Sequence, residues 1–176
     1  MKRIITLGGS SSSGSINKKL AEYAGRKVQG AEIVNLDLND YQIPLYSIDL
    51  EKDEGFAADL LKLENEIIAC DGIILSLAEH NGAYSAAFKN AFDWLSRRES
   101  KVWRNKPMLL LSTSPGARGG QSVLQIAMDR FPRNGGNIVS WMSFPSFNDN
   151  FKDDEVTDKA LKNELESKIE EFNKKI

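Results

Sequence analysis

The chain has 176 residues, 41% hydrophobic and 27% charged, a balance that suits one domain spanning 1–176 with a proper core and excludes a disordered chain. Its 23 Lys and Arg against 25 Asp and Glu leave a net charge of −2, which argues against a nucleic-acid binder or a basic membrane-surface protein. Cys70 is the only cysteine, so no internal disulfide can form. No stretch suits a signal-peptide core or a membrane span, and a cytoplasmic protein is expected.

Taken in chain order, short apolar runs alternate with segments of helical spacing. Arg3–Leu7 reads as a strand that stops at two glycines, and Ile16, Leu20, Tyr23, Ala24 and Val28 form an apolar helical stripe. Glu32–Leu36 is the second run. The long segment Asp37–Glu54 reads as a loop, a site lid or an interface element, with Tyr46 as its candidate substrate contact. Phe56, Leu60, Leu63 and Ile67 make a second stripe. Gly72–Ala78 and Pro107–Thr113 are nearly continuous apolar runs, as strands buried on both faces should be. Between them Phe88, Ala91, Phe92 and Leu95 make a third stripe. Val123, Ala127 and Phe131 make a fourth. Asn137–Phe144 alternates and suits an edge strand. Leu161, Leu165, Ile169, Phe172 and Ile176 mark a charged but docked terminal helix within Lys152–Ile176. Five strands and five helices in alternation predict an α/β fold: a doubly wound parallel sheet of order 2-1-3-4-5 with helices on both faces. Ligands bind such sheets outside the carboxyl ends of the strands, so loops beginning near Gly8, Leu77 and Ser112 should meet.

The first of these reads "GGSSSSGSIN", Gly8 to Asn17. Gly9-xxxx-Gly14 resembles the start of a nucleotide triphosphatase loop, but Ser15 and Ile16 replace the lysine and hydroxyl that should follow. No G-x-G-x-x-G is present. A cup of hydroxyls and backbone N–H groups at a helix N-terminus remains, suited to one terminal phosphate without a metal. Ser10, Ser12, Ser13, Ser15 and the Asn17 amide are its candidate donors. The competing reading is a serine loop whose Ser13 or Ser15 merely caps the helix. Gly82 in the second loop, and Gly116, Gly119 and Gly120 in the third, allow tight turns and close approach of a flat ligand. A planar ring between two glycine-containing loops, with its phosphate in a third, describes FMN rather than FAD.

Four motifs in this order carry a resemblance: Gly9-Ser10…Ser15-Ile16-Asn17, Ile43-Pro44-Leu45-Tyr46, Glu79-His80-Asn81-Gly82…Lys89-Asn90-Ala91-Phe92-Asp93-Trp94, and Ser112…Gly116…Gly119-Gly120. The chain resembles the NADPH-dependent FMN reductases of the flavodoxin-like superfamily, the group of quinone, azo-dye and chromate reductases, from about Arg3 to Phe144. The resemblance implies that Ser10, Ser15, Ile16 and Asn17 hold the FMN phosphate. It implies that Glu79, His80, Asn81 and Gly82 lie along the flavin ring, with Ser112, Ser114, Gly116, Gly119 and Gly120 near its pyrimidine side. It further implies NADPH or NADH as electron donor, a small-molecule acceptor (a quinone, azo compound, chromate or free flavin) and a homodimer or homotetramer. Four positions depart from the family pattern: Ser12 where arginine is frequent, Ala78 and His80 where the ring loop often has proline and tyrosine, and Ser85 where proline is usual.

His80 is the only histidine and lines the expected site, but flavin hydride transfer needs no protein acid or base, so no catalytic residue is assigned. No metal is expected. Cys70 reads as a packing residue. Arg118 either meets a nucleotide phosphate or charged acceptor, or is a solvated loop residue. Trp94 lies off the core stripe by about a third of a turn, which predicts an interface tryptophan. The alternative class is an electron carrier or a non-catalytic flavin-binding module. The near-neutral charge counts against a carrier, which docks through a strong single-sign patch.

Overall fold

A computed structural model describes residues 1–176. The elements in chain order are β1 (Lys2–Gly9), α1 (Ile16–Lys27), β2 (Ala31–Leu36), α2 (Ile48–Glu54), α3 (Ala58–Ala69), β3 (Gly72–His80), β4 (Ala83–Tyr84), α4 (Ala86–Arg98), β5 (Pro107–Thr113), α5 (Gln121–Arg130), β6 (Asn137–Phe144), α6 (Phe147–Asn150), β7 (Phe151–Lys152), β8 (Glu155–Val156) and α7 (Lys159–Asn173). The parallel sheet runs β2-β1-β3-β5-β6, which is the expected 2-1-3-4-5 order of the five main strands. The flavodoxin-like expectation thus holds, with two small additions. The two-residue β4 pairs antiparallel with the end of β3, and β7 and β8 form a separate hairpin. As expected of an alternating strand, β6 closes one edge of the sheet.

Successive residues of a strand point to opposite faces, and the core sorts accordingly. Ile73, Leu75 and Leu77 of β3, with Met108 and Leu110 of β5, pack beneath α3, α4 and α5. Their neighbours Ile74, Leu109 and Leu111 pack beneath α1 and α7. Fully burying one such side chain contributes roughly 1.5–3 kcal/mol. Strands feeding two layers are apolar at most positions, which is why β3 and β5 read as nearly continuous runs, with the buried Ser76 of β3 bonded to Asn17. Ser15, Ser85 and Asp158 cap α1, α4 and α7 by accepting the N–H groups of Lys18, Phe88 and Leu161.

Three expectations change. The segment 37–54 is not a bare loop. It contains a 3₁₀ turn at Leu38–Asp40 and the helix α2, whose N-cap is Ser47. Trp94 is not an interface residue. It is 1% exposed, its indole N–H donates to the Pro44 carbonyl at 2.8 Å, and Tyr46 and Phe56 meet it edge-on. An off-stripe aromatic can be covered by a loop of its own chain as well as by a partner. Here the loop is held in place by Asn90, whose amide accepts the Tyr46 N–H and donates to the carbonyls of Ile43 and Pro44. The terminal segment is also divided. Its first residues form the β7–β8 hairpin, and only Lys159–Asn173 is helix.

Candidate functional site at the carboxyl ends of the strands

Gly8, at the end of β1, sets the geometry of the first loop. A Cβ there would lie 2.6 Å from the backbone nitrogen and 2.7 Å from the Cα of Lys18, so only glycine lets the first turn of α1 sit directly on the strand. Ser15 then starts the helix, its Oγ accepting from Lys18 N at 3.1 Å. This is the capping role that competed with phosphate binding, and a hydroxyl that accepts here still has its own proton to donate. The N–H groups of Ile16 and Asn17, in the first helical turn, have no intrahelical acceptor. Those of Ser13 and Gly14 likewise meet no backbone acceptor.

Of these residues, Gly14, Ile16 and Asn17 line a cleft of about 220 Å³. Ser10, Ser12, Gly14, Ser15, Ile16 and Asn17 line one side. Ala78, Glu79 and His80 from the end of β3, with Thr113, Ser114 and Pro115 after β5, line the other. Three loops therefore meet where the topology requires. No lysine or arginine is among the lining residues, and Lys18 is engaged in an ion pair with Asp37 at the end of β2. The hydrogen bond that Lys18 donates to Asp37 raises the Lys18 pKa. Burial alone would raise Asp37, but the bonds from Lys18 and Asn39 bring its carboxyl below the usual range.

Several expected ligands are engaged elsewhere. Asn17 is 2% exposed. Its Oδ1 accepts from Ser76 Oγ at 2.7 Å and from Thr113 N at 3.0 Å, while its Nδ2 donates to Thr113 O at 3.1 Å. The side chain ties α1 to β3 and β5 rather than pointing an amide at a ligand. What Asn17 offers the cleft is its backbone N–H. Ser112 is fully buried, its hydroxyl donating to Gly119 O. Gly119 and Gly120 are packing glycines. A Cβ on Gly119 would lie 2.7 Å from the backbone of Phe144, and Gly120 takes φ 75° as the N-cap of α5. Ser13, Asn81, Gly82, Gly116, Tyr46 and Arg118 lie outside the cleft lining. Tyr46 donates to Glu51, and Arg118 donates to Ser122 Oγ at 2.9 Å.

The second loop is a β-hairpin. Glu79 pairs with Tyr84 and His80 with Ala83. Asn81 and Gly82, at φ 52° and 78°, form the two-residue turn. The Asn-Gly dipeptide is the strongest short-range hairpin signal in a sequence, and it was present to be read. Ser85 carries the other missed signal, a serine three residues before Phe88 at the head of an apolar stripe. Its hydroxyl donates to Gly9 O at 2.8 Å and so joins α4 to the first loop.

The arrangement is a donor-rich cleft at the carboxyl ends of the strands of a flavodoxin-like sheet. The family described as NADPH-dependent FMN reductase matches residues 2–149, and the chain belongs to that family. It is 34% identical over 118 residues to the quinone reductase of Escherichia coli K12, a stretch covering 67% of this chain and 63% of that protein. It is 28% identical over 122 residues to the NADPH azoreductase of Bacillus sp. strain OY1-2, covering 69% of this chain and 64% of that protein. The matched stretch thus covers a little under two thirds of these curated relatives. Among solved structures, FerB from Paracoccus denitrificans, a flavoenzyme NAD(P)H:(acceptor) oxidoreductase, superposes with a TM-score of 0.79 at 25% identity, covering 99% of this chain and 97% of that one. No helix is long and apolar enough to cross a membrane.

Proposed function

We propose that this chain is an FMN-dependent NAD(P)H oxidoreductase in which donor and acceptor use one site in turn. The observation that carries this reading is the cluster of unsatisfied donors at the head of α1. The N–H groups of Gly14, Ile16 and Asn17 and the hydroxyls of Ser10, Ser12 and Ser15 surround a cleft of phosphate scale. These donors fit one terminal phosphate of FMN, held by neutral hydrogen bonds and the positive end of the helix. A cleft of about 220 Å³ is below the roughly 300–1,000 Å³ of most ligand pockets. The ring would extend beyond this cleft, past Ser114 and Pro115 in its lining and toward the Asn81–Gly82 turn, which lies outside that lining.

FMN, when bound, supplies the two-electron chemistry, accepting hydride from NAD(P)H and passing electrons to a small acceptor such as a quinone, azo compound, chromate or free flavin. The protein's part is to bind, orient and exclude. The Asn17 and Ser85 bonds fix the three loops relative to one another. His80, exposed beside the turn, offers a polar contact to whichever substrate enters, whereas Tyr46 and Arg118 lie outside the cleft lining and bond Glu51 and Ser122. Assembly into a homodimer or homotetramer is supported by Leu45 and Ile48, 82% and 51% exposed on either side of Tyr46, and not by Trp94. Steady-state oxidation of NADPH at several quinone concentrations tests the alternating scheme. Parallel double-reciprocal lines are expected, and lines that intersect would refute it.

A further inference from the structure

Helix α5 starts with an unusual cap. Its N-cap residue is Gly120 in the left-handed region, which has no side chain to accept an N–H. The acceptor comes from 44 residues away: Glu79 Oε2 receives the Val123 N–H at 3.0 Å. Val123 is the third residue of the helix, the position a side-chain cap normally serves. Glu79 stands one residue before the turn-flanking His80 and pairs with Tyr84 across the β3–β4 hairpin. It is also the one carboxylate among the residues lining the cleft. A single side chain therefore joins the hairpin to the start of α5, and the residue that carries it lines the cleft.

We propose that Glu79 is a positioning residue that caps α5 to hold the hairpin against the Ser114–Gly120 loop, and whose charge lowers the reduction potential of the cofactor. This deepens the FMN reading and rests on it. The capping bond makes the carboxylate favourable where it is, because an anion is stabilised at a helix N-terminus. Oε1 makes no hydrogen bond within the chain, so helix α5 offsets the charge only in part. A negative charge beside a group that gains electrons disfavours the reduced form. The two roles separate by substitution. Glu79→Gln keeps an oxygen acceptor for Val123 and removes the charge. Glu79→Ala removes both.

The experiment has two readouts. Amide hydrogen exchange at Val123, followed by NMR on the flavin-free full chain, reads the cap. It is expected to speed at least tenfold in Glu79→Ala and to stay within about threefold of wild type in Glu79→Gln. The two-electron midpoint potential of FMN-loaded protein reads the charge. It is expected to rise in both variants, a tenfold gain in relative affinity for reduced flavin corresponding to about 30 mV for a two-electron couple. Val123 exchange unchanged in Glu79→Ala, or equally fast in Glu79→Gln, overturns the cap. A potential unmoved in Glu79→Gln overturns the charge role. If wild type binds no FMN, the function proposed above falls and the charge role with it, while Val123 exchange still decides the cap.

Discussion

Replacing Asn17 by alanine separates a ligand of the phosphate from a tie within the protein. In the wild type, one buried amide makes three hydrogen bonds, with Ser76 Oγ and with the N–H and C=O of Thr113. Ser76 and Thr113 are themselves 0% and 1% exposed. Asn17→Ala leaves both Thr113 backbone groups without partners, at about 1–3 kcal/mol each. The Ser76 hydroxyl can rotate and loses less. A destabilisation of about 3–5 kcal/mol follows, a large value of the kind that arises when a buried network is broken. With a urea m-value of about 2 kcal/mol/M, the midpoint of unfolding should fall by roughly 2 M. Because the tie spans α1, β3 and β5, all three loops loosen, and the protein should lose affinity for riboflavin as well as for FMN. Urea titration and flavin-fluorescence titration measure both. A midpoint shifted by less than about 0.5 M at that m-value, together with weaker FMN binding and unchanged riboflavin binding, would show that the amide holds phosphate and refute the reasoning.

Gly8→Ala places a methyl against the Lys18 backbone, and overpacking of this kind costs about 1–3 kcal/mol. At roughly 2–4 °C per kcal/mol for a chain of this size, calorimetry should show a clear fall in Tm, whereas Gly14→Ala, with no atom within 4 Å, should barely move it. Ser12→Arg adds a cation to a cleft without one. Exchanging a neutral hydrogen bond for a charged one should tighten FMN binding about tenfold, and the gain should shrink at 0.5 M salt; equal affinity in both salts would contradict this. Asp37 has a folded pKa below its ordinary 3.8, so its ion pair stabilises fully above that value and is lost as pH falls through the lower, folded one. Urea stability of Asp37→Asn should therefore fall less steeply than wild type below about pH 4. Parallel pH curves would show the pair contributes nothing.

Much of the fold was legible because burial on two faces leaves a strong trace. The unbroken runs at Ile73–Leu75 and Met108–Leu111 fixed two central strands, and β5 and β6 fall on the residues expected. The convergence of three loops followed from strand order alone. Side-chain commitments were harder to read, because an asparagine or glutamate looks the same in sequence whether it faces a ligand or a backbone. Asn17 and Glu79 both line the cleft, yet their polar atoms bond Thr113 and Val123. Gly119 and Gly120 look like glycines that admit a flat ligand, and instead they admit Phe144 and Ser112. Trp94 shows the same limit in the core. Helical periodicity gives its angle on α4, and only the path of residues 43–46 decides that Pro44 covers it.

The central claim, that this chain binds FMN and turns it over with a nicotinamide nucleotide, is tested most directly by one anaerobic absorbance experiment. Purified protein is loaded with FMN, freed of excess, and mixed with one equivalent of NADPH or NADH. The visible flavin band is then followed before and after addition of a quinone. The account predicts a retained flavin whose band bleaches with the nucleotide and returns with the quinone. A protein that retains no FMN would contradict the account, and so would a bound flavin that neither nucleotide bleaches, the behaviour of an electron carrier or a passive flavin-binding module.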